Sequence, residues 1–467
     1  MVMDYDLIVV GGTPEAIIAA EFALQLGARV ALVIPDCYQD HKHLEIIYHQ
    51  AWNYNDYALV EKLTLRSIGV EILSSFKKQN FYKLASLGVD IIQGKIEFYN
   101  FPKLSLVVNQ PKLRLSSIKK YSSSSYLLAT SSERKIPHIL GLEKVDFLIP
   151  ENIYNQENLI KLPPNITVIN DSIEGIIIAQ QLNKLGKRIT LITPKNQILI
   201  AEDKDASFFI QASLEAAGIT ILTKTNITQI RVIEGEKWIQ AGNKALQTDA
   251  IIVATDDKQP NISGLNLQSL GVKFNNTSLS VNSKLQTTNP QIYACGDLIG
   301  GYNLINIAQY EAKIAVKNAL FFPYFNINYN CLPYIIFTEP NLARVGLTEK
   351  QAQRIYGNEI EVINNNFEEL SLTKLDYNNM GFSKIILSKQ GEILGCHLVG
   401  ENVGELIGII ALAIQNKINF TKLEKLVNPY GTSSEIITFL ARQFNYDRLR
   451  KNTLLKNLLE TFFIWKR

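Results

Sequence analysis

The chain has 467 residues, 46% of them hydrophobic, and a formal net charge of +3. That length allows about three domains with packed cores, and so small a charge excludes an extended nucleic-acid-binding surface. Four cysteines without close pairs (Cys37, Cys295, Cys331, Cys396) exclude a disulfide framework and zinc-type ligand spacing, and fit a reducing cytoplasm. The start MVMDYD has no basic or apolar leader pattern, so no secretory signal is expected. No apolar run reaches the roughly 18 residues of a membrane span.

Residues 5–36 read as strand (DLIVV), turn (GGTPEA), helix (IIAAEFALQLG) and strand (RVALVI), a βαβ unit of the dinucleotide-binding kind. Gly27 stands where a helix C-cap glycine belongs. The G-x-G-x-x-G fingerprint asks for small residues at 11, 13 and 16, and the chain offers Gly11, Thr13 and Ala16, with Gly12 in the turn. Gly11 supplies the tight turn and Ala16 suffices for helix–strand packing. Thr13 is expected to crowd the approach of a pyrophosphate to the backbone. The position for an acid that meets ribose hydroxyls holds Ile34, and Asp36 is the nearest substitute.

Residues 37–62 are polar, aromatic and histidine-rich. His41, His43 and His49 do not share one helix face and no carboxylate–histidine motif surrounds them, so no metal site is expected. Helical periodicity over 59–88 turns into a strand at LGVDIIQGKIEF. Residues 96–130 read as short strands with Pro and Ser turns, closing on SYLLATSS. The pattern restarts at LPPN, which puts a domain boundary near 145–160.

From there NITVINDSIEGIIIAQQLNKLGKRITLITPK lies without a gap on VGGTPEAIIAAEFALQLGARVALVIPD. Ser172 answers Thr13, Gly175 answers Ala16, Gly186 answers Gly27 and Pro194 answers Pro35, each pair 159 residues apart. Two such units in one chain are far more specific than one fingerprint. In the second copy Asn170 tolerates the positive φ of the turn. Ser172 again obstructs backbone approach, and Thr193 stands where an acid for a 2′-hydroxyl belongs. Lys195 reads as a solvated loop lysine in preference to a 2′-phosphate ligand. Glu15 and Glu174 hold matched places in the first helical turn. They suit the macrodipole but oppose a bound pyrophosphate, unless they point outward to solvent.

Residues 202–260 continue with a helix and short strands. An apolar strand then ends in Gly296-Asp297 ahead of a helix, where an Asp can accept from sugar or ribityl hydroxyls. From Pro333 the character changes to a separate α+β domain. It has a strand, a Pro turn, a helix N-capped by Thr348, a hairpin around Gln390-Gly391 and the apolar helix ENVGELIGIIALAIQNK. The last stretch, KNTLLKNLLETFFIWKR, forms an amphipathic helix. Packing on a dimer partner is the favoured reading for it, ahead of contact with a membrane surface.

The order of these pieces resembles the flavoprotein disulfide reductases over essentially the full length. The resemblance rests on GGTPEA, LLATSS (127–132), the second βαβ unit, IIVATDDKQPN (251–261), IYACGD (292–297), FTEPNLARVGLTE (337–349) and NPYGTSSE (428–435). It implies two Rossmann-like FAD/NAD(P)-binding domains followed by an α+β dimerisation domain. The expected segments are 1–148 with 276–325 for FAD, 149–275 for NAD(P)H, 326–450 for dimerisation and 451–467 for the tail helix. It further implies FAD near Gly11, Gly12, Thr13, Ala16, Asp36, Thr130, Gly296, Asp297 and Ala308, and NAD(P)H near Ser172 and Gly175. A homodimer in the cytoplasm is expected. Tyr430 takes the place of the family's proton-transfer His, with Glu435 as its acid. The departures are as informative. The C-x4-C redox pair is missing, since 37–62 hold only Cys37, and Ser131 and Asp256 replace turn glycines. The expected function is therefore a FAD-dependent oxidoreductase, NAD(P)H-linked if the second site binds, that reduces an unidentified acceptor without a redox disulfide. The alternatives are a non-catalytic dimeric scaffold or regulator and a peripheral membrane protein.

Overall fold

The computed structural model describes residues 3–36, 80–110, 117–153, 162–367 and 381–467. The histidine-rich segment with Cys37, His41, His43 and His49 lies outside the described residues, as does most of the helical pattern expected over 59–88. Compactness divides the chain into two units. The first is Met1–Pro163 with Gln229–Lys237 and Asp249–Ile327; the second is Pro164–Thr228 with Trp238–Thr248 and Asn328–Arg467.

In the first unit five parallel strands run in the order Asp90–Tyr99, Val30–Pro35, Tyr5–Val10, Ser117–Leu128, Ile292–Ala294. A strand covered on both faces reads as an unbroken apolar run, which is why DLIVV shows no alternation. Leu7 and Val9 join a core with Ala16, Ala20, Ala312 and Ala315 of helices Pro14–Gln25 and Ile305–Leu320. Ile8 and Val10 face the opposite core, with Phe98, Leu106 and Tyr126. Strand Asp90–Tyr99 leaves the parallel sheet at Gly94 and turns to Ser105–Gln110, which pairs antiparallel with Ser117–Leu128. Gly94 is required at that change of partner, because a Cβ there would meet Asn109 O at 2.5 Å.

Residues 249–275, expected with the NAD(P)H segment, fall in this first compact unit. The cause is long-range pairing: Lys258–Pro260 runs antiparallel to Ser132–Arg134, and Leu148 bridges Ile252. Arg134, its side chain only 3% exposed, adds a 3.0 Å ion pair to Glu151 and a bond to the Thr255 carbonyl.

The second unit repeats the opening topology in register. Strands Asn165–Ile169, Arg188–Ile192 and Thr220–Leu222 are parallel, and helix Ile173–Lys184 has the 12-residue length of Pro14–Gln25 at the same 159-residue offset. Asn170 takes φ +70°, and Gly27 and Gly186 close the two helices at φ +85° and +77°. Asn328–Arg467 forms a five-stranded antiparallel sheet in the order Tyr334–Ile336, Asn341–Gly346, Ile393–Gly400, Phe382–Ser388, Ile360–Asn366. Helices Val403–Gln415 and Glu435–Lys451 cover it through Leu406, Ile410, Ile437 and Leu440. Thr348 caps helix Glu349–Tyr356 in a full capping box with Gln351.

Buried ions tie the pieces of the second unit together. Arg344 Nη1 lies 3.3 Å from Glu202 Oε2, and Tyr334 donates to Glu202 Oε1 at 2.6 Å. Lys384 meets Asp203, Asp205 and Glu349 at 2.9, 2.7 and 2.5 Å. His397, wholly buried nearby, donates through Nε2 to Leu347 O at 3.1 Å. Burial, then the Arg344 charge, pushes its pKa down to about 4, so the folded ring is neutral at neutral pH. An unfolded His takes its proton near pH 6.5. The unfolded chain therefore binds more protons between about pH 6.5 and about pH 4. This contribution is complete above that window and is lost as pH falls through it. Urea midpoints are expected to drop between about pH 7 and about pH 4.5, less steeply in His397→Leu; equal slopes would show that another group carries the acid loss.

Candidate functional site

In open sheets of this kind ligands sit outside the carboxyl ends of the parallel strands. Four expected residues stand there: Gly11 after Tyr5–Val10, Asp36 after Val30–Pro35, Thr130 after Ser117–Leu128 and Gly296 after Ile292–Ala294. Gly11 has φ +143°, and a Cβ built on it would overlap the Ala129 carbonyl oxygen. Its N–H donates to Val33 O at 2.9 Å, so the turn is pinned to both neighbouring strands. Gly12, Thr13 and Ala16 are buried. Thr130 donates to Asn261 O at 2.7 Å, Asp36 is exposed, and Ala308 is buried in the first turn of helix Ile305–Leu320.

The Thr13 side chain is held by two hydrogen bonds. Its hydroxyl accepts from Ala16 N and donates to Ala129 O, both at 3.2 Å, which turns the side chain back toward the strands. The hydroxyl thus serves as the N-cap of its own helix. Ser172 behaves alike in the second unit, accepting from Gly175 N at 3.0 Å.

Glu15 points inward. It is fully buried, and a Cβ on Gly296 (φ +73°) would meet its Oε1 at 2.5 Å. Gly296 N donates to Glu311 Oε2 at 2.7 Å, and Asp297, 6% exposed, lies 3.6 Å from Lys258 Nζ. Three carboxylates thus surround the Gly296 turn, with one ammonium beside Asp297. Glu311 and Lys258 were missed from the sequence, because each reaches this turn through a fold-dependent contact. The matched glutamates at 15 and 174 were the available signal, and Glu174 is buried as well.

In the second unit Lys195 is tied down. Its Nζ lies 3.2 Å from Asp171 Oδ1, which also accepts from Thr193 Oγ1 at 2.8 Å. Lys195 is thus a counter-ion to the turn, not the free loop lysine expected. Asp171 was likewise overlooked. Tyr430 is 88% exposed, and the Glu435 carboxylate accepts from Gly431 N at 2.8 Å.

Glu15 does not point outward, the condition expected for a pyrophosphate, but its carboxylate is directed to the Gly296 turn at the end of strand Ile292–Ala294, and the donor set at the first turn suits a dinucleotide. The Gly11 turn admits no side chain, Gly12 and Thr13 present backbone N–H groups at a helix N-terminus, and Asp297 supplies a buried acceptor at the strand end. The second turn keeps its positive-φ residue and small Gly175, and Lys195 offsets the Asp171 charge.

Residues 5–312 match the family model of pyridine nucleotide-disulphide oxidoreductases, and residues 332–441 match the dimerisation domain of that family. The chain is 26% identical to a mercuric reductase of Lysinibacillus sphaericus across 95% of its own length and 83% of the relative's. It is 30% identical to a dihydrolipoyl dehydrogenase of Bacillus subtilis across 60% of its length and 61% of the relative's. Its fold is similar to that of the HOCl-induced flavoprotein disulfide reductase RclA of Escherichia coli, solved as a copper(II) complex. There the TM-score is 0.80 at 23% identity, covering 95% of this chain and 100% of that one. Among the described residues no helix is long and apolar enough to cross a membrane. With both models matched in order along its length, the chain belongs to the pyridine nucleotide-disulphide oxidoreductase family, two nucleotide-binding domains followed by a dimerisation domain, with FAD and NAD(P)H as its cofactors.

Proposed function

We propose that the protein is an NAD(P)H-linked flavin oxidoreductase that passes electrons to its acceptor without a redox disulfide. The observation that carries this reading is the cysteine set. A dithiol relay needs two sulfurs in exchange contact. Cys37 has no second cysteine before Cys295, the Cys295 and Cys396 thiols are buried, and no disulfide links the described cysteines Cys295, Cys331 and Cys396. Burial also pushes the Cys396 thiol far up, away from the thiolate form that exchange requires.

FAD, when bound, supplies both hydride and one-electron chemistry, so a missing dithiol does not abolish the reaction. Gly12 and Thr13 would hold the pyrophosphate by backbone N–H, Gly11 would make the tight turn that admits it, and Ala16 lets the helix approach the sheet. Asp297 would accept from ribityl hydroxyls, with Lys258 balancing its charge. Thr130, Asp36 and Ala308 would line the same strand ends. Ser172 and Gly175 would shape the turn that takes NAD(P)H. Tyr430, five residues before Glu435 and open to solvent, would donate a proton to the reduced acceptor.

Anaerobic titration tests the reading. The yellow protein is expected to bleach fully with about one equivalent of NAD(P)H per flavin, because the flavin alone takes the electron pair. A need for about two equivalents would reveal a second two-electron centre and remove the proposal. A colourless protein that takes up no added FAD would remove it as well. Tyr430→Phe is expected to lower turnover about 10²-fold, the low end for loss of a proton donor, while the bleaching stays unchanged. Equal turnover would take Tyr430 out of the chemistry.

A further inference from the structure

The tail helix Thr453–Lys466 presents Leu454, Leu458, Phe462 and Trp465 at helical spacing, and they are 76%, 66%, 49% and 82% exposed. Phe462 packs on Phe463 and Trp465, at 5.7 and 6.4 Å between ring centroids, so the aromatic end forms one exposed cluster. Residues 448–467 hold six basic side chains and one acid, Glu460, whose charge faces Lys456 at 3.8 Å. The whole chain has a formal charge of only +3, so the rest of it is net negative and the basicity is concentrated here. The tail helix carries Lys456 and Lys466 with its aromatic apolar stripe, and Arg448, Arg450 and Lys451 close the helix before it; together they are complementary to one kind of surface in particular: a bilayer carrying anionic headgroups. The stripe enters the acyl boundary, Trp settles at the headgroup level, and the basic residues meet the surface potential.

We infer that Arg448–Arg467 docks the protein reversibly on anionic membranes, lying in the interface without crossing it. The inference is independent of the missing redox disulfide. Full-length flavin-loaded protein is expected to float with vesicles of phosphatidylcholine plus phosphatidylglycerol and to stay behind with phosphatidylcholine alone. Raising the salt should release it, as the screening length falls from about 10 Å at 0.1 M to about 3 Å at 1 M. Phe462→Ala/Phe463→Ala/Trp465→Ala and a chain ending at Asn452 are both expected to lose flotation while keeping flavin absorbance and dimer mass. Failure of the full-length protein to float with anionic vesicles overturns the inference. So does equal flotation with neutral ones. Conversion of the shortened chain to monomers would also overturn it, because a second copy of this chain would then be what covers the face.

Discussion

Lys384→Met is expected to lower the unfolding free energy by about 3–5 kcal/mol, read as a fall in denaturant midpoint at fixed protein concentration. Lys384 is only 1% exposed in strand Phe382–Ser388, yet it contacts three carboxylates. Those carboxylates have their own reason to be there. Asp203 N-caps helix Lys204–Ala216, Asp205 lies in its first turn, and Glu349 opens helix Glu349–Tyr356. Two helix N-termini gather acids to suit their dipoles, and Lys384 balances the accumulated charge. Burial disfavours its charged form, but bonds to Asp205, Glu349 and Asp203 outweigh that and hold its pKa above the usual lysine value. Asp203 is held below its usual range: burial acts the other way, but His397 and Lys384 prevail. Methionine keeps the volume and removes the charge, leaving Asp203 buried at 2% exposure with no cation against it.

Two comparisons make the result specific. Lys389 pairs with Glu359 at 2.7 Å, but both side chains are about half exposed, and Lys389→Met is expected to cost under about 1 kcal/mol. Adding Asp203→Asn to Lys384→Met removes the stranded charge and should recover part of the loss. Lys384→Met at wild-type stability would show that the cluster contributes nothing net.

The contrast between Lys384 and the opening βαβ unit shows what a sequence can reveal. Tyr5–Asp36 was legible because its signals are local: apolar runs, a turn glycine, and small residues at helix spacing. The repeat at residue 169 was legible for the same reason, and Asn170 took the positive φ its side chain permits. Lys384 was not legible. In FSKIILS it reads as a polar residue on a half-buried strand, and its partner Asp203 lies 181 residues away in sequence. The hydrogen bonding of Thr13 was not legible from its size. A hydroxyl at an N-cap can occupy itself with its own helix, and here it also reaches Ala129, just past the end of strand Ser117–Leu128. Glu15 shows the reverse. Its place in the helix was clear, but its direction depended on Gly296, which comes to it only when strand Ile292–Ala294 joins the sheet. Segment boundaries depended on pairings of the same long-range kind, such as Lys258–Pro260 with Ser132–Arg134.

Gly11→Ala is expected to abolish flavin retention and to destabilise the first unit by roughly 3 kcal/mol or more, as overpacking against a fixed backbone does. Two effects combine. At φ +143° an L side chain is strained wherever it stands, and here its Cβ would also fall on the Ala129 carbonyl. That carbonyl cannot retreat easily: Ala129 N donates to Val10 O at 2.8 Å, and Tyr5–Val10 is paired with Ser117–Leu128 along its length. Relief requires parting the two strand ends where Gly11 and Thr130 stand, which spoils the turn proposed to hold the pyrophosphate. Gly27→Ala separates the two effects. Gly27 also has positive φ, +85°, but nothing lies within 4 Å of the position its Cβ would take. It should cost only the left-handed backbone term, about 1–2 kcal/mol, and keep its flavin. The ratio of flavin to protein absorbance in the two purified variants decides the matter. Full flavin in Gly11→Ala would place the cofactor elsewhere than this turn, whereas loss in Gly11→Ala with retention in Gly27→Ala identifies close strand contact, and not φ alone, as what the first glycine protects.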